Sequence, residues 1–567
     1  MSATRYTRLE TILHGTGLFS EEQIRSILSS EGAENTSITS KIAEQGYASE
    51  EEFLVAVAKV MKLEYSGLKE IAVDTEVITS LPAKVVFQYN VIPIALENGS
   101  ITVASNDPFN MALVDALRVV TGKKIKIMLS SSSEIAKAVN RFYGVGADTV
   151  ERMMADSSAD MADADAIGKM DLTELDQEAS IVKFVNQVIW QAFKDRATDI
   201  HFEPMEDELR IRYRIDGVLH QTSMPPQLKR FQAAIISRIK VMSNMDIAEK
   251  RLPQDGRIGL NVRGDELDIR VSTMPTVYGE SISLRLLTKG TGLIQIESIG
   301  LGKQDQEAIT RLIHRPHGII LSTGPTGSGK STSLYAFLHI INSVERRIIT
   351  IEEPIEYEMP GINQIDVKSD IGLTFALGLR HILRQDPDVI MVGEIRDFET
   401  AEIAIRASLT GHLVFSTLHT NDASGAVTRL LDMGVEPFLV SSSLTAVLAQ
   451  RLVRRLCPTC KALGDYTEEF LNTIGFPEDP EARSGIKKTA GCDACRNTGF
   501  SGRTGLFELL LVTEHIRPLI IARESASAIK QMAVQHGTKT LISDGWEKVA
   551  QGKTTIEEVL RVAAEEE

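Results

Sequence analysis

The chain has 567 residues, of which 43% are hydrophobic, and its formal net charge is −16 at pH 7. That length accommodates three or four domains, and that hydrophobic content is typical of a globular protein with buried cores. The acidic balance argues against non-specific nucleic-acid binding, which depends on basic faces. The sequence has no apolar run long enough to span a bilayer and no signal-peptide pattern, so we expect a cytoplasmic protein.

Three segments precede the first residues with obvious chemistry. Residues 1–60 are predicted to form a small helical module, because apolar residues recur there at helical spacing. Residues 61–145 predict an α+β domain, since two apolar runs flank an Asn-Gly turn at 98–99. We interpret this domain as a partner-docking domain. Residues 146–178, rich in Asp, Ala, Ser and Met, predict a flexible acidic linker.

Residues 179–298 predict another α+β domain, whose strands carry arginines. Residues 209–215 alternate apolar and polar side chains, which is typical of a half-exposed strand and places three arginines on one face. Two later segments alternate similarly and contain Arg270 and Arg285. Arginines on a strand face are most often solvated, but several in one domain could instead be aimed at a bound phosphate.

A phosphate-binding motif follows in residues 299–456. Residues 324–331 fit the pattern Gly, four residues, Gly-Lys-Ser/Thr, with an apolar strand before the motif and helical spacing after it. The glycines let backbone N–H groups approach phosphate oxygens, Lys330 reaches the β- and γ-phosphates, and the Ser331 hydroxyl is placed for Mg²⁺. The helix N-terminus favours anions. The predicted ATP-binding residues are Gly324, Pro325, Thr326, Gly327, Ser328, Gly329, Lys330, Ser331 and Thr332.

The strands predicted after the motif are flanked by acids and histidines. Strands alternate with helices, which indicates a mainly parallel α/β sheet whose ligands bind beyond the carboxyl ends of the strands. We therefore predict that the acids and His419 face the same crevice as Lys330. A histidine at a strand end is otherwise often a structural hydrogen-bond donor. The predicted catalytic residues of this region are Glu356, Glu394, His412 and His419.

Four cysteines form two Cys-x-x-Cys pairs, Cys457 with Cys460 and Cys492 with Cys495. Two such pairs can supply four thiolates to a tetrahedral Zn²⁺, and four ligands leave no open position, so the site would be structural. The alternative is four reduced or disulfide-bonded cysteines. Because disulfides are rare in cytoplasmic proteins, we favour zinc binding, by an insertion that spans residues 457–495. Residues 500–567 are predicted to be helical.

Several segments resemble the hexameric secretion ATPases that drive type II secretion and type IV pilus assembly. The resemblance covers residues 179 to the end, and the N-terminal part more weakly. In the aspartate box, Glu353 stands where the family usually has Asp. The matching segments are 198–204 and 252–257 before the core, 351–357 for the aspartate box, 384–397 for the Walker B segment and 410–421 for the histidine box.

The resemblance implies a RecA-like P-loop ATPase core at 299–567, preceded by a PAS-like α+β domain, in a ring of six chains. It also implies ATP and Mg²⁺, Arg270 and Arg285 as arginine fingers, and partners in an inner-membrane platform, so that membrane contact is indirect. We interpret the chain as an ATPase powering type II protein secretion by pseudopilus assembly, with type IV pilus extension as the alternative. A DNA-translocating ATPase and a non-hydrolysing scaffold are further alternatives. The acidic charge argues against the first, and intact Lys330 and Glu394 argue against the second.

The N-terminal module, residues 1–60, resembles the cyclic-di-GMP-binding module of some pilus and secretion ATPases. In that module each repeat opens with Arg-Leu-Gly, whereas here Arg8-Leu9 is followed by Glu10 and the second repeat has Ser37-Ile38-Thr39. Dinucleotide binding needs the close backbone approach that glycine allows and the charge of the arginine. We therefore favour a degenerate, structural module over cyclic-di-GMP binding.

Overall fold

The computed structural model describes residues 2–29, 38–68, 71–97, 99–144, 146–147, 149–150, 153, 172–262, 265–288 and 295–563. The chain forms two compact units, Met1–Thr288 and Lys289–Glu567. The boundary falls at the end of a strand that runs to Thr288, earlier than the predicted boundary at 298 between the last two domains.

Four helices open the first unit and pack on a four-stranded sheet. The helices are α1 Ser2–Thr16, α2 Glu21–Ser29, α3 Ile38–Glu44 and α4 Glu50–Met61. Ser49 caps α4 in a capping box with Glu52, as its sequence favours. Buried Leu13 and Phe53 belong to the same apolar cluster as Leu129 of the sheet. The helical module therefore shares its core with the following α+β segment.

That α+β segment contains the predicted hairpin. Its sheet has the order β1-β4-β3-β2, and only the β2–β3 pair is antiparallel. The two strands of the predicted Asn-Gly hairpin are β2 and β3, while Asn98 itself lies outside the described residues. The elements are β1 Glu64–Tyr65, α5 Thr75–Thr79, α6 Ala83–Tyr89, β2 Val91–Glu97, β3 Ser100–Ser105, α7 Met111–Thr121, β4 Lys124–Leu129 and α8 Ser132–Phe142.

The structure corrects both ends of the linker predicted at 146–178. Val150 and Met153 are buried in the apolar core of the next domain. At the other end, helix α9 begins at Leu172, so the last part of the predicted linker is helical. Residues 154–171, which carry half of its acidic residues, lie outside the described part of the chain.

A six-stranded antiparallel sheet with the order β7-β6-β5-β10-β9-β8 completes the first unit. Apolar residues such as Ile200, Phe202 and Ile211 lie in its core, as the alternation predicts. The arginines alternate with them and line the other face. The elements are α9 Leu172–Lys194, β5 Ala197–Pro204, β6 Leu209–Ile215, β7 Val218–Gln221, α10 Gln232–Met242, β8 Gln254–Val262, β9 Asp265–Thr276 and β10 Gly279–Thr288.

The second unit is built on a seven-stranded sheet with the order β13-β12-β14-β15-β11-β16-β19. Every pair is parallel except β16 with β19, which confirms the predicted sheet. The strand β19 corrects the prediction that residues 500–567 are all helical. The strands are β11 Gly318–Thr323, β12 Ile348–Glu352, β13 Asn363–Asp366, β14 Val389–Val392, β15 Leu413–Leu418, β16 Leu444–Leu456 and β19 Phe500–Leu511.

Helices cover both faces of this sheet, and two apolar clusters fill the layers between. A small antiparallel sheet of two strands, β17 Ala462–Leu463 and β18 Lys487–Lys488, lies in the cysteine-bearing insertion. None of the helices in the described ranges has the length and hydropathy to cross a bilayer. The helices are α11 Ile296–Ile299, α12 Lys303–Leu312, α13 Lys330–Ile341, α14 Phe375–Ile382, α15 Phe398–Leu409, α16 Ala423–Asp432, α17 Pro437–Ser443, α18 Glu468–Thr473, α19 Pro480–Ser484, α20 Arg517–Ile521, α21 Ala526–Gln535, α22 Leu541–Ala550 and α23 Ile556–Ala563.

Candidate functional site

The phosphate loop joins β11 to α13, as its sequence pattern predicts. Lys330 opens α13, and its Nζ donates hydrogen bonds to the carbonyl oxygens of Gly324 (2.9 Å) and Pro325 (3.0 Å). Gly324 and Gly329 have φ angles of +146° and +90°, which side chains with a Cβ rarely adopt. Ser331 is exposed in the first turn of the helix. The loop therefore curls around the lysine ammonium at the N-terminus of a helix, where anions are favoured.

The Lys330 ammonium lies in a charged and poorly solvated environment. The residue is only 9% exposed, and burial lowers its pKa to about 8. Glu394 opposes this shift and Arg451 adds to it, so both charges act on the lysine. An anion placed against Lys330 would raise its pKa again, because an opposite charge favours the protonated form.

Glu394 follows β14 and is the centre of a charged cluster. Its carboxylate forms an ion pair with Arg396, and His419 Nε2 lies 3.2 Å from Glu394 Oε2. Arg396 also approaches Glu353, with Nη1 3.6 Å from Oε2. The side chain of Glu394 is 15% exposed, whereas that of His419 is 49% exposed. A carboxylate that is paired with an arginine, contacts a histidine and is still reached by solvent can orient a water molecule.

The first glutamate of the aspartate box has a structural environment that the sequence did not reveal. Glu352 is 3% exposed and accepts hydrogen bonds from the Tyr335 hydroxyl, Thr350 Oγ1 (2.6 Å) and Gln364 Nε2 (3.1 Å). The Tyr335 oxygen also accepts the backbone N–H of Glu356 at 3.2 Å. Glu352 is thus fully engaged, and through Tyr335 it fixes the backbone that carries the half-buried Glu356. No sequence pattern indicates this role of Tyr335, because the residue lies on α13, outside the aspartate box.

The two histidines lie at opposite ends of the same strand. His419 follows β15 and contacts Glu394, at the carboxyl edge of the sheet where the phosphate loop lies. His412 precedes β15, and its Nδ1 lies 2.9 Å from the carbonyl oxygen of Ala407. Six residues of extended strand span about 20 Å. The chain therefore does not bring His412 to the edge of its own phosphate loop, and a catalytic role of His412 stays a prediction.

Arg270 and Arg285 lie in the other unit, directly opposite each other in β9 and β10. Arg257 of β8 is opposite Arg270, so three arginines form one row across three strands. Arg285 Nε donates to Asp199 Oδ1 at 3.0 Å, and its side chain is 59% exposed. The row lines a groove of about 500 Å³. Because like charges directly opposite in a sheet repel each other, this row is suited to an anion. Arg257 is not among the site residues that the sequence predicts.

The four cysteines lie together, and their Sγ atoms are all within 4.8 Å of one another. The distances are 3.8 Å from Cys457 to Cys492, 3.7 Å from Cys460 to Cys495 and 3.7 Å from Cys492 to Cys495. Zinc–sulfur bonds of about 2.3 Å in a tetrahedron give sulfur–sulfur edges of about 3.8 Å. The backbone N–H groups of Cys492 and Gly499 also donate to Cys495 Sγ, each at 3.2 Å. The group therefore fits a four-coordinate zinc ion.

A lysine-bearing loop and strand-end carboxylates on a mainly parallel sheet define a P-loop ATPase of RecA-like fold. The chain belongs to the type II/IV secretion system protein family, whose family model matches residues 174–561. Membership of this ATPase family implies ATP as substrate and Mg²⁺ as cofactor. A second family model, the MshEN domain, matches residues 61–149. The N-terminal resemblance predicted from the sequence lies on residues 1–60, outside this match, whereas 61–145 is predicted only as a docking domain.

Curated relatives cover most of the chain. The type IV pilus assembly ATPase PilB of Myxococcus xanthus is 40% identical over 561 residues, 98% of each chain. The type II secretion system protein E of Aeromonas hydrophila is 47% identical over 454 residues, 79% of this chain and 90% of its own. Among solved structures, the ATPase DotB of Yersinia pseudotuberculosis matches with a TM-score of 0.50 at 19% identity, over 68% of this chain and 94% of DotB. That likeness shows the fold alone, whereas the two relatives confirm the predicted family and ATPase activity.

Proposed function

We propose that this chain is a hexameric ATP-driven motor that assembles the pseudopilus of a type II secretion system at the inner membrane. The observation that carries the proposal is the convergence of Lys330 and the Glu394 cluster at one edge of the sheet, where the charge of Glu394 acts on Lys330. Force generation then follows from hydrolysis, which would drive a conformational change of the chain.

The chemistry is phosphoryl transfer to water, in which negative charge spreads over the γ-phosphoryl oxygens. Lys330 binds the β- and γ-phosphates. Glu394, fixed by Arg396 and His419, orients the attacking water and accepts its proton while the bond to the β-phosphate oxygen breaks. Glu356 is the second candidate for this role. Ser331 would hold Mg²⁺, which would supply further positive charge at the phosphate oxygens.

The arginine row would complete the site. We propose that Arg270 and Arg285 stabilise the transition state as arginine fingers, and that Asp199 positions Arg285 through its 3.0 Å hydrogen bond. Removal of an arginine finger lowers kcat by about 10³-fold or more in other phosphate-loop enzymes. The fingers come either from the chain that binds the nucleotide or from its neighbour in the ring, and mixed rings of two variants distinguish these two arrangements.

Hydrolysis by the full-length chain is tested by phosphate release from Lys330→Ala and Glu394→Gln. We expect both variants to lose about 100-fold or more in kcat. Lys330→Ala removes positive charge at the γ-phosphoryl oxygens, and Glu394→Gln removes a positioned base, which contributes about 10²–10⁴-fold. Glu394→Gln should still bind ATP, because its amide is nearly isosteric. The control is Glu402→Gln on α15, which removes only an exposed ion pair with Arg406. If Lys330→Ala releases phosphate as fast as the parent, the motor proposal is wrong.

Pilus extension is the second candidate function, and one observation favours it. The match to the pilus assembly ATPase covers 98% of both chains, whereas the match to the type II secretion protein covers 79% of this chain, at higher identity. Deletion of the gene in its own host separates the two functions. Loss of secreted proteins from the medium with surface pili unchanged supports secretion, and loss of pili alone supports extension.

The remaining assignments concern ligands and partners. We propose that the tetracysteine site holds a structural Zn²⁺ and that the chain reaches the membrane through platform and docking proteins of the machine. The N-terminal module is proposed to be a docking module that does not bind cyclic-di-GMP, because Glu10 stands where the glycine of the first repeat would be.

A further inference from the structure

Gln450 is a buried amide at the point where β16 passes the phosphate loop. The parallel pairing of β16 with β11 ends at Ala449, which is opposite Thr323, the last residue of β11. Gln450 therefore lies one residue beyond the end of β11, where the loop begins. The residue is 1% exposed. It belongs to none of the motifs that the sequence pattern singles out.

The Gln450 side chain joins the middle of the loop to the strand that leads into it. Its Nε2 donates to the backbone carbonyl of Ser328 at 2.9 Å, and its Oε1 accepts from Ser322 Oγ at 3.1 Å. Both contacts are buried. Because a backbone carbonyl only accepts, the Ser328 contact requires the NH₂ side of the amide to face the loop, and Oε1 is left to accept from the Ser322 hydroxyl.

The contact to Ser328 also determines the direction of the next N–H group. In a trans peptide the carbonyl of one residue and the N–H of the next point in opposite directions across one plane. Holding the Ser328 carbonyl toward Gln450 therefore turns the N–H of Gly329 to the opposite side of the loop. Backbone N–H groups of this loop are the donors that cradle phosphate oxygens.

Two motif glycines pack against the same residue. A Cβ on Gly324 would lie 2.5 Å from the backbone oxygen of Gln450, and a Cβ on Gly329 would lie 3.2 Å from its Nε2. The first approach excludes any side chain, and the second is tighter than ordinary contact. The loop therefore lies against Gln450 at both of these positions as well as at the Ser328 carbonyl.

We propose that Gln450 is a positioning residue for nucleotide binding, which holds the Ser328–Gly329 peptide with its N–H directed at the phosphates. The inference rests on the proposed ATPase function and assigns to β16 a role in the affinity for nucleotide. A purely structural role predicts a different result: loss of the amide would lower stability and leave nucleotide affinity unchanged.

The test measures the Kd of a fluorescent ATP analogue, the KM for ATP and the thermal midpoint of full-length variants. Gln450→Met keeps the length of the side chain without the amide, and we expect Kd and KM to rise about tenfold, the cost of one positioned hydrogen bond. Gln450→Glu should raise them further, because a carboxylate would face the Ser328 carbonyl. Ser322→Ala removes only the hydrogen bond to Gln450 Oε1, so it should raise Kd and KM less than Gln450→Met does.

The matched control is Thr554→Val, which removes a partly buried hydrogen bond to the same strand, from Thr554 Oγ1 to the carbonyl of Arg454 at 2.8 Å. It should lower the thermal midpoint and leave Kd unchanged. If Gln450→Met and Ser322→Ala also leave Kd within twofold of the parent, the positioning role is wrong while the ATPase function stands. If the parent neither binds nor hydrolyses ATP, the proposed function fails and the inference with it.

Discussion

At the scale of single residues, the charge state of Lys330 controls what the phosphate loop can bind. Burial lowers its pKa from the ordinary lysine value to about 8, even with Glu394 nearby. The protonated form attracts phosphate, while the neutral form does not. A loop that depends on a lysine with such a pKa is sensitive to alkaline conditions that leave exposed lysines charged.

We therefore expect nucleotide affinity to fall as the pH rises above about 8 in the parent chain. The Kd for ATP should be flat below the pKa of Lys330 and rise toward tenfold per pH unit above it, because binding then requires uptake of a proton. Titration of a fluorescent ATP analogue from pH 6.5 to 9.5 measures this. Lys330→Arg is the control, since a guanidinium stays charged over that range. A parent Kd independent of pH up to 9.5 would contradict the lowered pKa.

The same lowered pKa gives a stability change of defined sign. Between about pH 8 and the ordinary lysine pKa, the unfolded chain binds more protons at this residue than the folded chain does. The contribution of Lys330 to the free energy of unfolding therefore increases with pH across that window. Nucleotide affinity and this contribution to stability change in opposite directions, so weaker binding at high pH is not a sign of unfolding at this residue.

At the scale of elements, local patterns predicted those parts of the fold that depend on near neighbours in the chain. The strand before the phosphate loop, the helix after it and the Asn-Gly hairpin each carry their signal within about ten residues. Strand β19 was missed because its partner β16 lies across the whole cysteine insertion, and its run of leucines fits a helix as well as a strand.

The same distinction applies to the site. Lys330, Glu394 and the cysteines belong to spaced motifs, and the structure brings each group together at one place. His412 belongs to the same motif as His419, but one strand length separates them, which a list of motif residues does not show. Tyr335 lies on a helix and Gln450 on a strand, and neither residue belongs to a sequence motif. Only the three-dimensional contacts therefore reveal their roles.

The cysteine insertion is an element whose stability we expect to depend on metal. Purified parent chain should contain about one zinc per chain, and Cys492→Ser should lose it, because three thiolates bind zinc more weakly than four. Metal analysis measures the zinc content of each variant, and thermal unfolding measures its stability. Thr459→Ala, between two of the cysteines, is the control and should keep its zinc. One zinc per chain in Cys492→Ser would exclude the assignment.

At the scale of the whole molecule, the proposed arginine fingers and the phosphate loop belong to different compact units. If each site takes its arginines from the neighbouring chain, two inactive variants can restore each other. One variant is Lys330→Ala, which keeps the arginines, and the other is Arg270→Ala with Arg285→Ala, which keeps the loop. Co-expressed with two affinity tags and purified through both, they form mixed rings.

In such rings a site is intact when the arginine variant supplies the loop and the lysine variant supplies the arginines. With random mixing in equal amounts, about a quarter of the sites meet this condition, since each site draws on two neighbouring chains. We therefore expect phosphate release at about a quarter of the parent rate, provided the sites act independently. The control mixes Lys330→Ala with a chain carrying all three substitutions, which contains no intact loop and should stay inactive. Mixed rings no more active than that control would mean that each chain supplies the arginines for its own nucleotide.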